Sequence, residues 1–331
     1  MTGTISRRRF VRISAAAAGF GLLPSGRAVH AGAGPVVWRG TMLGAAATME
    51  IHDDDRRRAE RLIALACAEA RRLERQFSLY LKDSALAELN RTGILVGPAL
   101  EMVELLTLSQ RYSELTEGAF DPTVQPLWEL YTNHFAREGA DTAGPPPAVI
   151  QAALGCVGHH RLSVSRDRIA MPHGMAVTLN GIAQGYVTDK IVELLQAEGI
   201  SHSLVDMGET RAIGARPDGS AWEVGVADPE IVGRTEAILP IVDRAVSTSG
   251  SYGFRFDAKG RFNHLFDPRT GACAERYRSV TTVSRRATAA DALSTAFSLM
   301  PVERIRSLLP YVDVERVHLI DAAGKSSEIA A

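Results

Sequence analysis

The chain has 331 residues, and its 37 lysines and arginines nearly balance its 38 aspartates and glutamates, which gives a formal net charge of −1. A chain of this length can bury a large core, and its balanced charge excludes the basic field expected of a nucleic-acid-binding protein. The three cysteines, Cys67, Cys156 and Cys273, are odd in number and form no CxxC pair. We therefore predict no disulfide framework and assign these cysteines no chemistry.

The first residues indicate an export signal. Three consecutive arginines precede Phe10, an apolar run covers residues 13–23, and small residues surround a cleavage position at Ala31. This pattern is typical of a twin-arginine signal, so we predict that residues 1–31 are removed and that the protein is periplasmic. An arginine-rich tail before a chance apolar segment is the alternative. Because the signal holds five arginines and no acid, its removal takes the net charge from −1 to −6.

The first half of the remaining chain is predicted to be rich in helices, and no later apolar run is long enough for stable membrane insertion. The predicted elements are a strand over 41–51 and helices over 55–79, 84–90 and 98–115. Ser84 is a predicted N-cap, Asn90 and Gly93 end its helix, and Gly118 ends the next one. Residues 141–147, rich in Gly and Pro, form a predicted loop and the best candidate boundary between two interlocked lobes.

A glycine pair follows two predicted strands, at 162–164 and 176–179. Gly181 and Gly185 stand at the start of a helix, where the backbone can approach a ligand closely and an anion is favoured. A plain tight turn is the alternative, because the sequence is neither GxGxxG nor a P-loop. Asp121, which precedes Pro122, also places a carboxylate at the start of a predicted helix.

The chain after residue 203 is predicted to be rich in strands. The expected strands cover 204–208, 221–226, 237–242 and 245–249, and the polar stretch 247–252 is predicted to be a turn. His264 and Asp267 precede a Pro-Arg-Thr-Gly turn, and they are unusual partners for a purely structural one.

A predicted helix over 288–297 carries the sharpest candidate site. Asp291 and Thr295 are four residues apart, so their side chains share one helix face. A carboxylate and a hydroxyl suit a hard cation such as Mg²⁺ with a phosphate behind it. The alternative is a capping box, in which Thr288 caps the helix and Asp291 reaches back to its amide.

Six blocks that occur in order resemble those of the ApbE family of flavin transferases. Any one block is weak, but together they extend from Leu43 to Thr295 and cover nearly all of the chain after the signal. The blocks are Phe77-Ser-x-Tyr80 with Ser84 and Asn90, Gly118-Ala-Phe-Asp121-Pro-Thr123, Asn180-Gly181-Ile-Ala-x-Gly185-Tyr186, Ser247-Thr-Ser-Gly250, His264-x-x-Asp267-Pro-x-Thr270-Gly271 and Ala290-Asp291-x-x-x-Thr295.

The resemblance implies an α+β fold. Mixed, largely antiparallel sheets would pack against helices in two interlocked lobes, with FAD in the cleft between them. The implied activity is Mg²⁺-dependent transfer of FMN from FAD to a Thr or Ser hydroxyl of a target protein, with release of AMP. Such phosphoryl transfer depends on positioning and on neutralisation of charge.

The resemblance also implies roles for individual residues. Mg²⁺ would be held by Asp291, the Thr295 hydroxyl and the backbone carbonyl of Gly181, and Asp291 would also be catalytic. His264 would be the proton-transfer group, because the ordinary pKa of histidine suits that work; a purely structural histidine is the alternative. The residues implied to contact FAD are Leu43, Tyr80, Ala119, Phe120, Asp121, Thr178, Gln184 and Leu265.

Several positions depart from the usual residues of the family. Many relatives have Asp where this chain has Thr178, Lys where it has Gln184, Asp where it has Ser294, and Gly-Gly where it has Gly208-Glu209. Gln184 in place of lysine removes a positive charge near the pyrophosphate. Ser294 in place of aspartate leaves a less acidic cation site. Metal affinity and rate, rather than the identity of the ligands, are therefore expected to differ.

Residues 120–128, together with the export signal, are similar to the accessory flavin transferase of nitrous-oxide-reductase clusters. That similarity implies a membrane-bound flavoprotein of nitrous oxide respiration as the acceptor. Two other functions stay open. One is an FAD pyrophosphatase, in which water replaces the protein hydroxyl, and the other is a non-catalytic protein that binds and delivers FAD. The intact pair Asp291 and Thr295 argues against the non-catalytic delivery protein.

Overall fold

The structure, a computed structural model, describes residues 34–231 and 233–331. The predicted export signal, residues 1–31, lies outside the described residues. Along the described chain the α-helices are α1 (Arg56–Phe77), α2 (Ala85–Thr92), α3 (Leu100–Leu115), α4 (Gln125–Phe135), α5 (Pro147–Leu154), α6 (Ala183–Ala197), α7 (Ala287–Phe297) and α8 (Val302–Leu308). The strands are β1 (Val36–Met42), β2 (Ala45–Ile51), β3 (Ile94–Val96), β4 (Ser163–Val164), β5 (Arg168–Ala170), β6 (Ser203–Asp206), β7 (Thr210–Ile213), β8 (Trp222–Ala227), β9 (Thr235–Ile241), β10 (Ala245–Gly250), β11 (Tyr277–Ser284), β12 (Arg316–Asp321) and β13 (Ser326–Ala330).

An eight-stranded sheet in the order β1-β2-β6-β7-β10-β11-β12-β13 is the main framework. A small sheet, β3-β5-β4, and a two-stranded ribbon, β8-β9, accompany it. Neighbouring strands are antiparallel in each of the three. The predicted α+β class with largely antiparallel sheets is therefore confirmed.

Side-chain caps fix the starts of the first two helices, and the cap predicted at Ser84 is confirmed. The carboxylate of Asp55 accepts hydrogen bonds from the backbone N–H groups of Arg57 and Arg58, so α1 begins at Arg56. Ser84 caps α2 by accepting from the N–H of Ala87 at 3.0 Å. Such caps satisfy amides that have no partner within their own helix.

The predicted strand at 176–179 is wrong, because a side chain takes the place of a neighbouring strand. The N–H of Val177 donates to Oδ1 of Asn90 at 2.7 Å, and its carbonyl accepts from Nδ2 of Asn90 at 2.8 Å. One amide thus makes both backbone bonds that a strand would make. Asn90 accordingly does not end α2, which continues to Thr92 and stops at Gly93, where φ is 75°.

The strand predicted at 245–249 is confirmed as β10, which continues to Gly250, so the overlapping turn predicted at 247–252 is wrong over its first four residues. This strand pairs with β7 on one side and with β11 on the other, where Ser249 faces Val280. Pairing with β11, which continues along the whole of β10 to Gly250, outweighs the weak strand preference of serine and glycine. The result is a strand that carries a row of hydroxyl groups rather than apolar side chains.

A cluster of aromatic side chains, next to the main core, joins α4 and α5 to the segment 254–266. Tyr131 and Phe266 are buried in it, with ring centroids 5.0 Å apart. Residues 141–147 connect the two helices, and the division into two lobes near this segment stays a prediction. Within the described residues, no helix is long and apolar enough to cross a membrane.

Candidate active site

One cavity brings together every residue that the sequence predicts for the site. Its wall is formed by the β1–β2 turn, the segments 77–80, 119–128 and 178–184, strand β10, the segment 264–268 and α7. The predicted site residues that line it are Leu43, Tyr80, Ala119, Phe120, Asp121, Thr178, Gly181, Gln184, His264, Leu265, Asp291 and Thr295. Their roles stay predictions, but their meeting at a single cavity is a property of the fold.

Leu43 reaches the cavity because it stands in a tight hairpin turn. Met42 pairs with Ala45, so the turn between β1 and β2 has only two residues. Both are left-handed, with φ of 50° at Leu43 and 78° at Gly44. That is the backbone required by the favoured two-residue hairpin, and it is strained for leucine. The single strand predicted over 41–51 is thus two antiparallel strands joined by a chain reversal.

Asp121 is held by four donors from the protein itself. Its Oδ1 accepts from the N–H of Thr123 at 2.8 Å and from the Thr123 hydroxyl at 2.6 Å. Its Oδ2 accepts from the N–H of His159 at 3.0 Å and lies 3.2 Å from Nδ1 of that ring, which must therefore carry a proton. Burial opposes ionisation, but the hydrogen bonds from His159 and Thr123 hold the pKa of Asp121 below its ordinary value.

This network fixes the cavity wall that carries Ala119 and Phe120. The Thr123 hydroxyl also accepts from the N–H of Gly158 at 2.7 Å, which ties the 119–124 segment to the turn before His159. The predicted contact of Asp121 with the ribose or adenine stays a prediction, and its carboxylate already serves four internal donors. The sequence carries no signal for His159, because it lies far from Asp121 along the chain.

Helices α6 and α7 cross so closely that only glycine fits at one position. A Cβ placed on Gly185 would lie 2.3 Å from the carbonyl oxygen of Ala287 and 2.8 Å from the Cβ of Asp291. The N–H of Gly185 donates to Oδ2 of Asp291 at 3.0 Å. Gly185 therefore serves helix packing and orients the predicted metal ligand, and the glycine-pair signal is explained by that contact.

The predicted capping box at Thr288 is wrong, because Asp189 on α6 caps α7 instead. Its buried carboxylate accepts from the N–H of Ala287 at 2.9 Å, from the N–H of Thr288 at 3.0 Å and from the Thr288 hydroxyl at 2.6 Å. Because Asp189 of another helix supplies the cap, the carboxylate of Asp291 is not needed there and faces the cavity. Arg211, at 2.5 Å, and Arg286, at 3.3 Å, balance the charge of Asp189.

A row of hydroxyl groups joins β10 to α7 beside Asp291. The hydroxyl of Ser249 lies 2.8 Å from that of Ser294 and 3.2 Å from that of Thr295. Gly181 lies against the same threonine, since a Cβ on it would be 3.0 Å from Oγ1 of Thr295. The fold thus brings the three predicted metal ligands, Gly181, Asp291 and Thr295, to one wall.

The charges of the cavity suit a bound cation. Its charged side chains are the carboxylates of Asp121, Glu209 and Asp291, and neither lysine nor arginine lines it within the described residues. Burial, which the hydrogen bond from the Gly185 amide opposes and the nearby charge of Asp189 reinforces, raises the pKa of Asp291 to about 7. Burial, and next the charge of Asp291, raise the pKa of Glu209 well above its ordinary value. A cation would offset both effects.

The three predicted ligands supply part of a Mg²⁺ shell, and other oxygen donors must complete it. Among residues 34–231 and 233–331 there is no group of three or more His, Cys, Asp or Glu side chains arranged to hold a metal. A carboxylate, a hydroxyl and a carbonyl are hard oxygen donors, and Mg²⁺ commonly completes such a shell with substrate phosphates and water. The predicted ligands therefore fit a cation that binds together with a phosphate.

His264 lies at the cavity with one ring nitrogen engaged. Its Nδ1 is 3.3 Å from the carbonyl oxygen of Phe254, so that nitrogen carries the proton and Nε2 is left as an acceptor. Burial lowers the pKa of His264 to about 4, so the ring is neutral at pH 7. A neutral imidazole with a free Nε2 lone pair can accept a proton.

Tyr80 stands at the mouth of the cavity. Its side chain is 46% exposed, and its hydroxyl accepts a hydrogen bond from Nδ2 of Asn180 at 2.9 Å. Asn180, Trp128 and Glu209 line the same cavity without having been predicted as site residues. Glu209 stands out in the sequence only as a departure from the Gly-Gly of many relatives, and a single such departure does not identify a site residue.

Comparisons with known proteins agree with this arrangement. The sequence matches the family model described as ApbE family over residues 43–317. It is 32% identical over 237 residues to the FAD:protein FMN transferase of Vibrio cholerae, covering 69% of this chain and 70% of that protein. It is 33% identical over 287 residues to the FAD:protein FMN transferase of Treponema pallidum, covering 72% and 76% respectively.

A solved structure shares the fold. The ApbE protein of Thermotoga maritima superposes with a TM-score of 0.78 at 26% sequence identity, covering 88% of this chain and 96% of that one. The family match spans the segment from the Leu43 turn to strand β12, and the curated relatives match at 32% and 33% identity. The chain therefore belongs to the ApbE family.

Proposed function

We propose that this protein is an enzyme that transfers FMN from FAD to a serine or threonine hydroxyl of a target protein and releases AMP. The observation that carries the proposal is the convergence of Asp291, Thr295, Gly181 and His264 on one cavity. The activity named for the curated relatives is flavin transfer to protein, and their similarity to this chain supports the same reaction here.

The proposed reaction is a displacement at the FMN phosphorus. The acceptor oxygen forms a bond to that phosphorus, the bond to the bridging oxygen of the pyrophosphate breaks, and AMP leaves with that oxygen. Nε2 of His264 takes the proton of the acceptor hydroxyl, because Nδ1 is engaged by the Phe254 carbonyl. Tyr80 and Phe120 supply aromatic faces for the rings of FAD.

Asp291, Thr295 and the carbonyl of Gly181 would hold Mg²⁺, with phosphate oxygens completing its shell. Bound there, the cation would neutralise the charge of the pyrophosphate, since none of the described lysines or arginines lines the cavity. Asp291 is kept in place by the Gly185 amide, and α7 is kept in place by Asp189. These contacts supply the positioning on which phosphoryl transfer depends.

The test is to incubate the mature protein with FAD, Mg²⁺ and a flavoprotein domain that bears an acceptor threonine. Mass spectrometry should show the acceptor gaining one FMN, and a Thr→Val acceptor should gain none. If FAD is split without modification of the acceptor, the protein is an FAD pyrophosphatase. If FAD is bound but survives unchanged, the protein is a delivery protein.

We further propose that the protein is exported by the twin-arginine pathway and acts in the periplasm on a membrane-bound flavoprotein of nitrous oxide respiration. The arginine motif and apolar run before Ala31 support the export, and the similarity of residues 120–128 to the accessory transferases supports the acceptor. Replacement of Arg7, Arg8 and Arg9 by lysine should leave the protein in the cytoplasmic fraction. Retention of export in that variant would contradict this localisation.

A further inference from the structure

Glu209 is a buried carboxylate that the proposed mechanism leaves without a task. It stands in the turn between β6 and β7, is 7% exposed and lines the cavity. Its backbone is held firmly, because the Thr188 hydroxyl on α6 donates to the Glu209 carbonyl at 2.9 Å. An acid fixed in this way inside a cavity is costly unless something there offsets its charge.

The carboxylate of Glu209 lies on the same hydroxyl row as Asp291. It interacts with the Ser247 hydroxyl and with the backbone N–H of Thr248, and among charged groups Asp291 acts on it most strongly. The hydroxyl of Ser247 is 3.2 Å from that of Ser294, which itself donates to the Asp291 carbonyl at 3.0 Å. Two acids from different elements therefore border the same pair of serines at one cavity.

No basic side chain balances this pair within the described residues. Neither Glu209 nor Asp291 forms an ion pair with lysine or arginine there, and the nearby Asp206 adds a further like charge. Asp189, by contrast, has two arginines. A cation that binds between the two acids would remove their repulsion.

A second observation points to a ligand at this place. Nε2 of Gln184 is buried and has no hydrogen-bond partner among the described residues. The residue is 9% exposed and lines the cavity. It packs on the turn that carries Glu209, since a Cβ on Gly208 would be 2.4 Å from this nitrogen. A buried N–H donor without an acceptor is rare, and a phosphate oxygen would satisfy it.

We propose that Glu209 binds, together with Asp291, the divalent cation of this cavity, and that Gln184 donates to the phosphate that the cation carries. Glu209 then supplies the second negative charge of a site that Ser294 leaves less acidic. The inference rests on the proposed function only for the identity of the phosphate ligand, because binding of the cation alone can be measured without FAD.

The experiment measures Mn²⁺ binding to the mature protein by electron paramagnetic resonance, without FAD. Glu209→Gln should weaken binding by about tenfold or more, and Asp291→Asn should weaken it at least as much. The exposed Glu315, paired with Arg244, provides the control, and Glu315→Gln should bind Mn²⁺ like the unaltered protein. Binding by Glu209→Gln within twofold of the unaltered protein, or no binding by the unaltered protein, would overturn the inference.

Thermal unfolding in metal-free buffer separates this role from a structural one. Glu209→Gln should unfold at the same or a higher temperature than the unaltered protein, because it loses a buried charge and keeps its shape. Added Mg²⁺ should then stabilise the variant less. A lower unfolding temperature without metal would assign Glu209 to the turn and overturn the inference. If Mn²⁺ binding depends on Glu209 but the protein transfers no FMN, the inference about Glu209 is upheld and the proposed function is contradicted.

Discussion

The backbone amide of Gly185 donates a hydrogen bond to the carboxylate of Asp291 at 3.0 Å, across the closest approach of α6 and α7. The same two helices are joined again where Asp189 caps α7. One connection runs from the start of α6 to the interior of α7, and the other runs from the interior of α6 to the start of α7. The two bonds together fix the rotation of α7 and so the direction of Asp291.

Gly185→Ala should disrupt this crossing. The new methyl group would lie 2.3 Å from the Ala287 carbonyl oxygen, so the helices must separate. We expect a loss of about 3 kcal/mol in the free energy of unfolding, measured by urea denaturation, together with weaker Mg²⁺ binding. Gly34→Ala, which has open space around it, serves as the control and should change neither. Unaltered stability in Gly185→Ala would mean that the two helices pack less tightly than this distance indicates.

Asp189→Asn should destabilise the protein, although Asp189 does not line the cavity. The variant leaves Arg211 beside a neutral group and weakens the cap on α7. Removing one partner of a buried ion pair costs about 3 kcal/mol or more, and urea denaturation measures it. Asp313→Asn breaks a surface pair with Arg285 and should cost less than about 1 kcal/mol. Equal losses in the two variants would contradict the role of Asp189.

Asp291→Asn should slow FMN transfer about 100-fold while FAD still binds. An amide can accept from Gly185 but cannot neutralise a cation, so about 3 kcal/mol of transition-state stabilisation is lost, which corresponds to a rate about 100-fold lower. Acceptor flavinylation followed by mass spectrometry measures the rate, and flavin fluorescence measures binding. Asp313→Asn should keep the full rate. Full activity in Asp291→Asn would remove this residue from the metal site.

The pair Asp121 and His159 predicts a pH-dependent contribution to stability. The hydrogen bond to Asp121 raises the pKa of His159 above 6.5 in the folded protein. Its stabilising effect is therefore complete below that value and is lost as the pH rises through the folded-state pKa. His159→Gln should cost more stability at about pH 5.5 than at about pH 8.5, by about 1 kcal/mol. His160→Gln, at the exposed neighbour, should show no such difference; a loss in His159→Gln that is independent of pH would contradict the charged pair.

His264 should stay neutral over the working range of pH. Burial lowers its pKa to about 4, so its ring resonances in nuclear magnetic resonance spectra should be constant between about pH 8 and about pH 5.5. In the unfolded chain the ring takes up a proton near pH 6.5, so stability should fall as the pH drops from there towards 4. A titration midpoint near 6.5 in the folded protein would show that the ring is solvated and would weaken its assignment as the proton acceptor.

The sequence predicts which residues line the cavity better than it predicts the contacts that hold them in place. The motif residues from Leu43 to Thr295 meet at one place, because the motif blocks are short segments with recognisable local chemistry. The supports of that site act between distant segments: Asp189 caps α7 across 99 residues of chain to Thr288, and Asn90 pairs with Val177 across 87. No local pattern carries such information. The sequence predicts the strand at 245–249 but also a turn that overlaps it at 247–250, because the pairing with β11 that keeps these polar residues in a strand is equally distant along the chain.

Leu43, in the first hairpin, and Thr295, on α7, border the same cavity although most of the described chain separates them. A site assembled from such distant segments has no local precursor, because long loops must close before its walls exist. The capacity to bind a ligand therefore arises only when the whole fold is complete, and removal of either end of the folded chain eliminates it. Recovery of FAD binding during refolding would report the last step of folding rather than the formation of any single helix or strand.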